Sequence, residues 1–381
     1  MAYFDNAATT YPKPESVYKF MDEFYRANGG NSGRGSYALA QNAGELTNKT
    51  RQLICELLHC PNKQVIFEPS DTIALNIIIQ GLIQMGKHNI YITPFEHNAV
   101  TRTLYYFEKN NVVEVKELYV SKDLKYDLER IKYQFDEFKP DVVIASHASN
   151  VCGLVAPVED IFAMAKKYDA VTVVDMAQTA GLVDCNIGLE TFDFAVFAGH
   201  KNLYAPTGIS GFVMKPDIDM PVVLFGGTGI ESANQDMPKT LPQRYEMGTS
   251  NISGIAGLYA ALNWIKEKTL PVLWQHEQET RNKLLELLQE YDFIDIIGNV
   301  SGSKYVGIVS CNIQGISSES AGEILAKHNI AVRTGLHCAP LAHKFLGTFP
   351  SGTIRFSGCW FTNEDDFIVL RSVLDFVEES L

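Results

Sequence analysis

From residue 64 to residue 197 the chain alternates short apolar runs of strand length with stretches of helical spacing, and this alternation restricts the fold more than any other feature. Gln64-Val-Ile-Phe67 reads as a strand and Asp71 to Ile83 as the helix after it. Ile90-Tyr-Ile-Thr93 with Asn98 to Glu108, Val113 to Val120 with Tyr126 to Phe135, and Asp141 to Ser146 with Val158 to Lys167 repeat the pair. Val171-Thr-Val-Val174 and Phe194-Ala-Val-Phe197 are two more apolar strands. Ahead of them, residues 38–59 set Leu46, Leu53, Ile54, Leu57 and Leu58 on one helical face. Strands that are apolar throughout and alternate with helices imply a mostly parallel sheet covered on both faces. From Tyr245 onward the pattern changes. A Gly-Thr-Ser-Asn turn at 248–251 leads into a helix from Ile255 to Ile265, and a second helix spans Glu277 to Leu288. A strand (Tyr305 to Cys311), a helix (Ser318 to Lys327), a short strand (Ile330 to Val332) and a last helix (Asn363 to Glu378) follow. The expected architecture is α/β: a large, mostly parallel sheet domain over 15–250, and a smaller α+β C-terminal domain from 251–381 with 1–14.

Charge narrows the partners. Lys plus Arg is 32 and Asp plus Glu is 45, so the formal net charge is −13. A general nucleic-acid binder needs a basic face to displace counterions, so none is expected here. No apolar run approaches the ~20 residues of a membrane span, and the N-terminus lacks the basic start and apolar stretch of a secretory signal. Seven cysteines are scattered with no Cys-x-x-Cys pair, which points to reduced thiols, a cytoplasmic location and no metal site. No Gly-x-Gly-x-x-Gly follows the early strands, which disfavours a nicotinamide dehydrogenase.

In open α/β sheets, ligands bind beyond the carboxyl ends of the strands. Asp175 and Gln178 follow one strand here, and Gly199-His200-Lys201 follows another. Glu96-His97-Asn98 and His147-Ala-Ser-Asn150 follow two more, and Ser70-Asp71-Thr72 opens a helix after a fifth. Singly, such residues are most often caps and turn formers. Together they make a coherent site for pyridoxal 5'-phosphate. Lys201 is the amine for its Schiff base, and Asp175 is the carboxylate for its pyridine nitrogen. Asp71-Thr72 offers a helix start for the phosphate, and His97 a stacking face.

The chain resembles the fold-type I, class V pyridoxal phosphate enzymes, and among them the cysteine desulfurases and selenocysteine lyases. The likeness runs through Tyr3-Phe-Asp-Asn-Ala-Ala-Thr-Thr10, Asn76, Glu96-His-Asn98, Ser146 to Gly153, Val174-Asp-Met-Ala-Gln178 and Gly199 to Gly208. It continues through Tyr245-Glu-Met-Gly-Thr249, Arg333-Thr-Gly-Leu-His-Cys-Ala-Pro340 and Ile354-Arg-Phe-Ser357. The resemblance implies a seven-stranded-type sheet and a set of roles. Lys201 anchors the cofactor and moves protons. Asp175 pairs with the ring nitrogen, and Gln178 bonds the ring hydroxyl. His97 stacks and acts in acid–base chemistry. Thr72 and His200 hold the phosphate. Thr249 reaches the phosphate of a neighbouring subunit in a homodimer. Arg355 forks onto the substrate carboxylate, with Asn150 near the substrate.

Cys338 matches the nucleophile that takes the sulfur as a thiolate, with Arg333 and His337 as electrostatic aids. It separates a desulfurase from a class V aminotransferase, which shares every cofactor residue but does not need the thiol. The implied activity converts L-cysteine, or selenocysteine, to L-alanine and a Cys338 persulfide, which a sulfur-acceptor protein removes. Lys201 or His97 is the expected base for the α-proton. A selenocysteine lyase, an aminotransferase and a non-catalytic scaffold are the rivals. Three departures stand out. Ala198 replaces a serine, Asp71 puts an acid beside the phosphate, and Gly33-Arg-Gly-Ser36-Tyr37 lacks a histidine.

Overall fold

The computed structural model describes residues 1–31 and 35–380, so Gly33 and Arg34 of the third departure lie outside the described residues. The chain opens with β1 (Ala2–Tyr3), α1 (Glu15–Asn28) and α2 (Ala38–Leu57). The alternating stretch follows as β2 (Gln64–Glu68), α3 (Asp71–Gln84), β3 (Asn89–Ile92), α4 (Asn98–Glu108), β4 (Glu114–Glu117) and α5 (Leu128–Glu137). It continues as β5 (Val142–Ser146), α6 (Val158–Ala165), β6 (Val171–Asp175), β7 (Phe194–Ala198) and β8 (Ser210–Met214). After it come α7 (Ile252–Lys268), α8 (Leu270–Gln289), β9 (Ile294–Ile297), β10 (Ile308–Ile313), α9 (Ser318–Lys327) and β11 (Ile330–Ala331). The last elements are β12 (Arg333–Gly335), α10 (Pro340–Phe345), β13 (Thr353–Ser357) and α11 (Glu364–Glu378).

Seven strands form one sheet in the order β2-β8-β7-β6-β5-β3-β4. The pairs among β3, β4, β5, β6 and β7 are parallel, and β8 runs against both its neighbours. The expected mostly parallel sheet is present, and the apolar strands explain it. Val142, Ile144, Val173, Phe194 and Val196 enter the core on one face. Val143, Ala145, Val174, Ala195 and Phe197 enter the core on the other. Each buried Val, Ile or Phe contributes ~1.5–3 kcal/mol, and a slip of one residue would exchange the two faces.

Periodicity alone predicts no strand at β8. Its five residues are short, include a glycine and lead into no helix, yet all are buried between β7 and β2. The turn from β7 to β8 carries Gly199, where a Cβ would lie 2.1 Å from the Ile209 carbonyl oxygen, so only glycine fits the close approach.

Four other strands pair antiparallel in the order β12-β13-β10-β9, and β1 pairs in parallel with β11. Leu284, Leu288, Val309, Ile354, Phe356, Leu370 and Leu374 fill the core over this second sheet. α7 packs instead on α1 and α2, with Ile255, Leu258 and Leu262 in the larger core. Several boundaries differ from expectation, and three have a clear cause. β4 ends at Glu117, because Val120 bridges back to Tyr126. α8 begins at Leu270 with Pro271 in its first turn, where the missing N–H costs nothing. β10 begins at Ile308, because Tyr305 and Val306 pair instead with Leu154 and Gly153.

Candidate active site

The carboxyl ends of β3, β5, β6 and β7 open on one rim, and the first turn of α3 joins them. Asp71, His97, Asn150, Asp175, Gln178 and Lys201, with Ser146, line one narrow pocket there. Six of the sequence-predicted site residues thus meet, although they come from five separate segments. Asp175 ends β6 and pairs in register with Ser146 of β5. Its Oδ1 accepts the Ala177 N–H at 2.9 Å. Burial, helped by the Asp71 charge and opposed by Lys201, pushes its carboxyl up to about 6. Gln178 donates from Nε2 to the Ala7 carbonyl at 3.0 Å, which ties the N-terminal segment to the pocket. Thr10 donates to the Lys201 carbonyl at 2.9 Å, and Lys13 to the His200 carbonyl at 2.7 Å.

His97 caps α4, and its Nδ1 accepts the Ala99 N–H at 3.1 Å. Burial, with Lys201 close by, holds the ring down to about 4, so at neutral pH it is uncharged. Because Nδ1 accepts, the proton sits on Nε2. Beside it stands Glu96, whose role the sequence did not reveal. Fully buried, it accepts from Thr93 Oγ1 (2.7 Å), the Ser146 N–H (2.7 Å) and Ser146 Oγ (2.8 Å). These bonds clamp the loop carrying His97 to the end of β5. Burial pushes Glu96 up to about 7.

Cys338 lies outside this pocket, on an adjoining groove of about 780 Å³ that also includes Asn98, Arg102 and Arg333. His337 (φ 47°) and Cys338 (φ 58°) are consecutive non-glycine residues in the left-handed region. Such residues cost on the order of 1–3 kcal/mol each and persist where surroundings over-determine them. Here Asn150 Nδ2 donates to the His337 carbonyl (2.6 Å), and the Asn98 N–H donates to the Cys338 carbonyl (2.7 Å). His337 Nε2 meets Thr353 Oγ1 at 2.9 Å. Arg333 Nη2 donates to Cys338 Sγ at 3.2 Å. The two asparagines therefore latch the thiol loop to the two strand ends that flank the pocket.

Arg355, in β13, is 1% exposed. Its Nη1 donates to the Asn150 carbonyl (2.8 Å) and its Nη2 to Asp5 Oδ1 (3.0 Å). Burial lowers it to about 10, which leaves it charged at neutral pH. Asp5 is a second residue whose role the sequence did not announce, since its partner lies at the far end of the chain. The only sequence signal for either was its place in a motif, Asp5 after Phe4 and Glu96 before His97. Four buried polar atoms around the site have no hydrogen-bond partner among the described residues: Asn150 Oδ1, His200 Nδ1, His337 Nδ1 and Arg355 Nε.

Not every expected residue lines the pocket. Thr72 is exposed on the first turn of α3, and His200 is half-buried beneath the turn after β7. Thr249 is exposed in an irregular stretch before α7. Asp71 is among the residues that line the pocket, and its Oδ1 accepts the Thr72 N–H at 2.8 Å.

The class-V aminotransferase family model matches residues 2–369. A probable cysteine desulfurase of Halalkalibacterium halodurans is 30% identical over 387 residues, covering 100% of this chain and 93% of that protein. One of Pyrococcus abyssi is 29% identical, covering 100% and 94%. Among solved structures, the apo cysteine desulfurase from Thermococcus onnurineus NA1 has a TM-score of 0.91 at 28% identity, covering 100% of this chain and 95% of that one.

Proposed function

The chain belongs to the class-V aminotransferase family and to its cysteine desulfurases, and from there we propose that it holds pyridoxal 5'-phosphate at Lys201 and moves the sulfur of L-cysteine onto Cys338, leaving L-alanine. Members of this family depend on that cofactor, and the chain's residues fit it. A lysine amine and a buried carboxylate share one narrow pocket, and on the turn that carries the lysine the buried Nδ1 of His200 lacks a partner. When bound, the cofactor supplies an electron sink for charge developing at the substrate α-carbon.

The protein's own groups then have separable tasks. Asp175 would hold the pyridine nitrogen, and Gln178, fixed to the Ala7 carbonyl, would serve the ring hydroxyl. His97 offers a neutral flat face and an Nε2–H donor. With Nδ1 occupied and the ring resistant to a second proton, it is a poor base, so Lys201 Nζ moves the α-proton. Arg355 keeps its charge and an unpartnered Nε for the substrate carboxylate. The Cys338 thiolate attacks the substrate sulfur, the bond from that sulfur to Cβ breaks, and Cβ gains a proton to give alanine. The observation that carries this reading is the Arg333 guanidinium on Cys338 Sγ, on a strained loop latched to Asn98 and Asn150 beside the Lys201 pocket. A cation against the sulfur is the setting in which cysteines act as nucleophiles. A homodimer, with exposed Thr249 serving the neighbouring copy, and a sulfur-acceptor protein entering the groove at Cys338 complete the proposal.

Incubation with L-cysteine and with L-selenocysteine, assaying sulfide, selenide and alanine, tests the activity. Borohydride fixation with peptide mapping should label Lys201. Cys338→Ser should keep that label and release no sulfur. A label elsewhere, or sulfide at the normal rate from Cys338→Ser, refutes the assignment, and a keto acid in place of alanine makes the chain an aminotransferase.

A further inference from the structure

The first turn of α3 is where this fold offers backbone donors to an anion, and two side chains of the chain already occupy it. Ser70 Oγ accepts the Ile73 N–H at 3.3 Å, and Asp71 Oδ1 accepts the Thr72 N–H at 2.8 Å. Asp71 also lines the pocket with Asp175 and Lys201, and its charge acts on Asp175, His97 and His200. Few cations among the described residues offset it. Lys201 lines the pocket with both carboxylates, Arg355 is paired with Asp5, Arg333 donates to Cys338 Sγ, and Lys13 donates to the His200 carbonyl. His97 and His200 are held neutral by burial. β7 ends in Ala198, whose methyl group supplies no donor. A phosphate arriving here displaces a carboxylate from an amide and adds its own negative charge beside two others.

We propose that Asp71 is a specificity-determining competitor for the phosphate of the cofactor: it occupies the phosphate's amide and repels its charge, so that this chain gains little affinity from the phosphate and discriminates weakly between phosphorylated and unphosphorylated pyridoxal. This rests on Lys201 being the attachment point. Asp71 bears chiefly on the phosphate, because its Oδ1 holds an amide of the α3 turn, whereas the ring and the aldehyde are handled by Asp175, Gln178 and Lys201 and feel Asp71 only through its field at Asp175 and His97. Ser70 remains as the helix cap, so α3 does not depend on Asp71 for its start.

The cofactor-free protein, titrated with pyridoxal phosphate and with pyridoxal, gives the two dissociation constants through the absorbance of the Lys201-linked chromophore. Asp71→Asn keeps the shape and the acceptor for Thr72 but removes the charge, and Asp71→Ala also frees the N–H. The ratio of the pyridoxal constant to the pyridoxal phosphate constant should rise by about tenfold or more in Asp71→Asn, with the pyridoxal constant changed far less than the pyridoxal phosphate constant. Asp71→Ala should raise the ratio at least as far, and inorganic phosphate should compete better with pyridoxal phosphate in both variants. An unmoved ratio with Lys201 still labelled overturns this inference alone, as does equal tightening of both forms, which would place the effect at the ring. No label from either form in any variant overturns the functional reading and this inference with it.

Discussion

Arg333→Met isolates the electrostatic part of the sulfur-transfer step. The substitution keeps much of the aliphatic bulk and removes the guanidinium that donates to Cys338 Sγ at 3.2 Å. At an effective dielectric of 20, two unit charges ~3 Å apart interact by ~5 kcal/mol, which is an upper bound. Both residues are partly exposed, so water screens the pair. The net value of a hydrogen bond to a charged group, ~1.5–3 kcal/mol, is the better measure. At 1.36 kcal/mol per factor of ten, formation of the Cys338 persulfide should slow by roughly ten- to a hundredfold. The fold should not suffer. Arg333 lies directly across from Arg355 in the β12–β13 ladder, and like charges so placed repel. Removing Arg333 should therefore leave the melting temperature unchanged or slightly raised. Single-turnover alanine release and the iodoacetamide alkylation rate of Cys338 should fall together, while the cofactor spectrum holds. Persulfide formation at the normal rate in Arg333→Met would falsify the electrostatic role.

Three further outcomes follow from the geometry. Arg355→Lys loses the fork that spans the Asn150 carbonyl and Asp5, so under the proposed role of Arg355 the KM for L-cysteine should rise by about tenfold or more with cofactor binding intact; an unchanged KM moves substrate recognition elsewhere. Glu96 is pushed up to about 7 in the folded protein and is ordinary, ~4.3, when unfolded. Between those values only the folded state keeps the proton, so this group's favourable contribution is full at low pH and is lost as pH rises to about 7, a change of about 4 kcal/mol. Glu96→Gln should flatten that part of a melting-temperature series, and an unaltered slope counts against the buried carboxylate as its source. His147, fully buried and held down to about 4, works in the opposite direction. The unfolded ring takes its proton at ~6.5, so its contribution is present above that pH and disappears as pH falls toward 4. His147→Asn should make the acid limb shallower, and an acid limb as steep as before would exclude it.

Local pattern was enough for the frame. β5, β6 and β7 were legible because strands buried on both faces must be apolar throughout, and the residues just past them were legible as site candidates because strand ends in such sheets face the ligand. Lys201, Asp175, His97 and Asn150 were found in that way and do meet at the rim. A different class of fact came only from the folded chain. β8 was invisible because its burial comes from sitting between two partners, and no period in its own five residues records that. The clamp from Glu96 to Ser146, the Asp5–Arg355 pair and the Asn150 bond to His337 join residues far apart in the chain, and hydrogen bonds of that kind leave no local trace in side-chain spacing. The sequence by itself determined which faces are buried and which residue types stand at the strand ends, because apolar burial is written in neighbouring positions. Only the tertiary structure decided that Asp71 faces the pocket, that Arg333 rests on Cys338 and that Arg355 is held by Asp5, because those contacts depend on where separate elements cross.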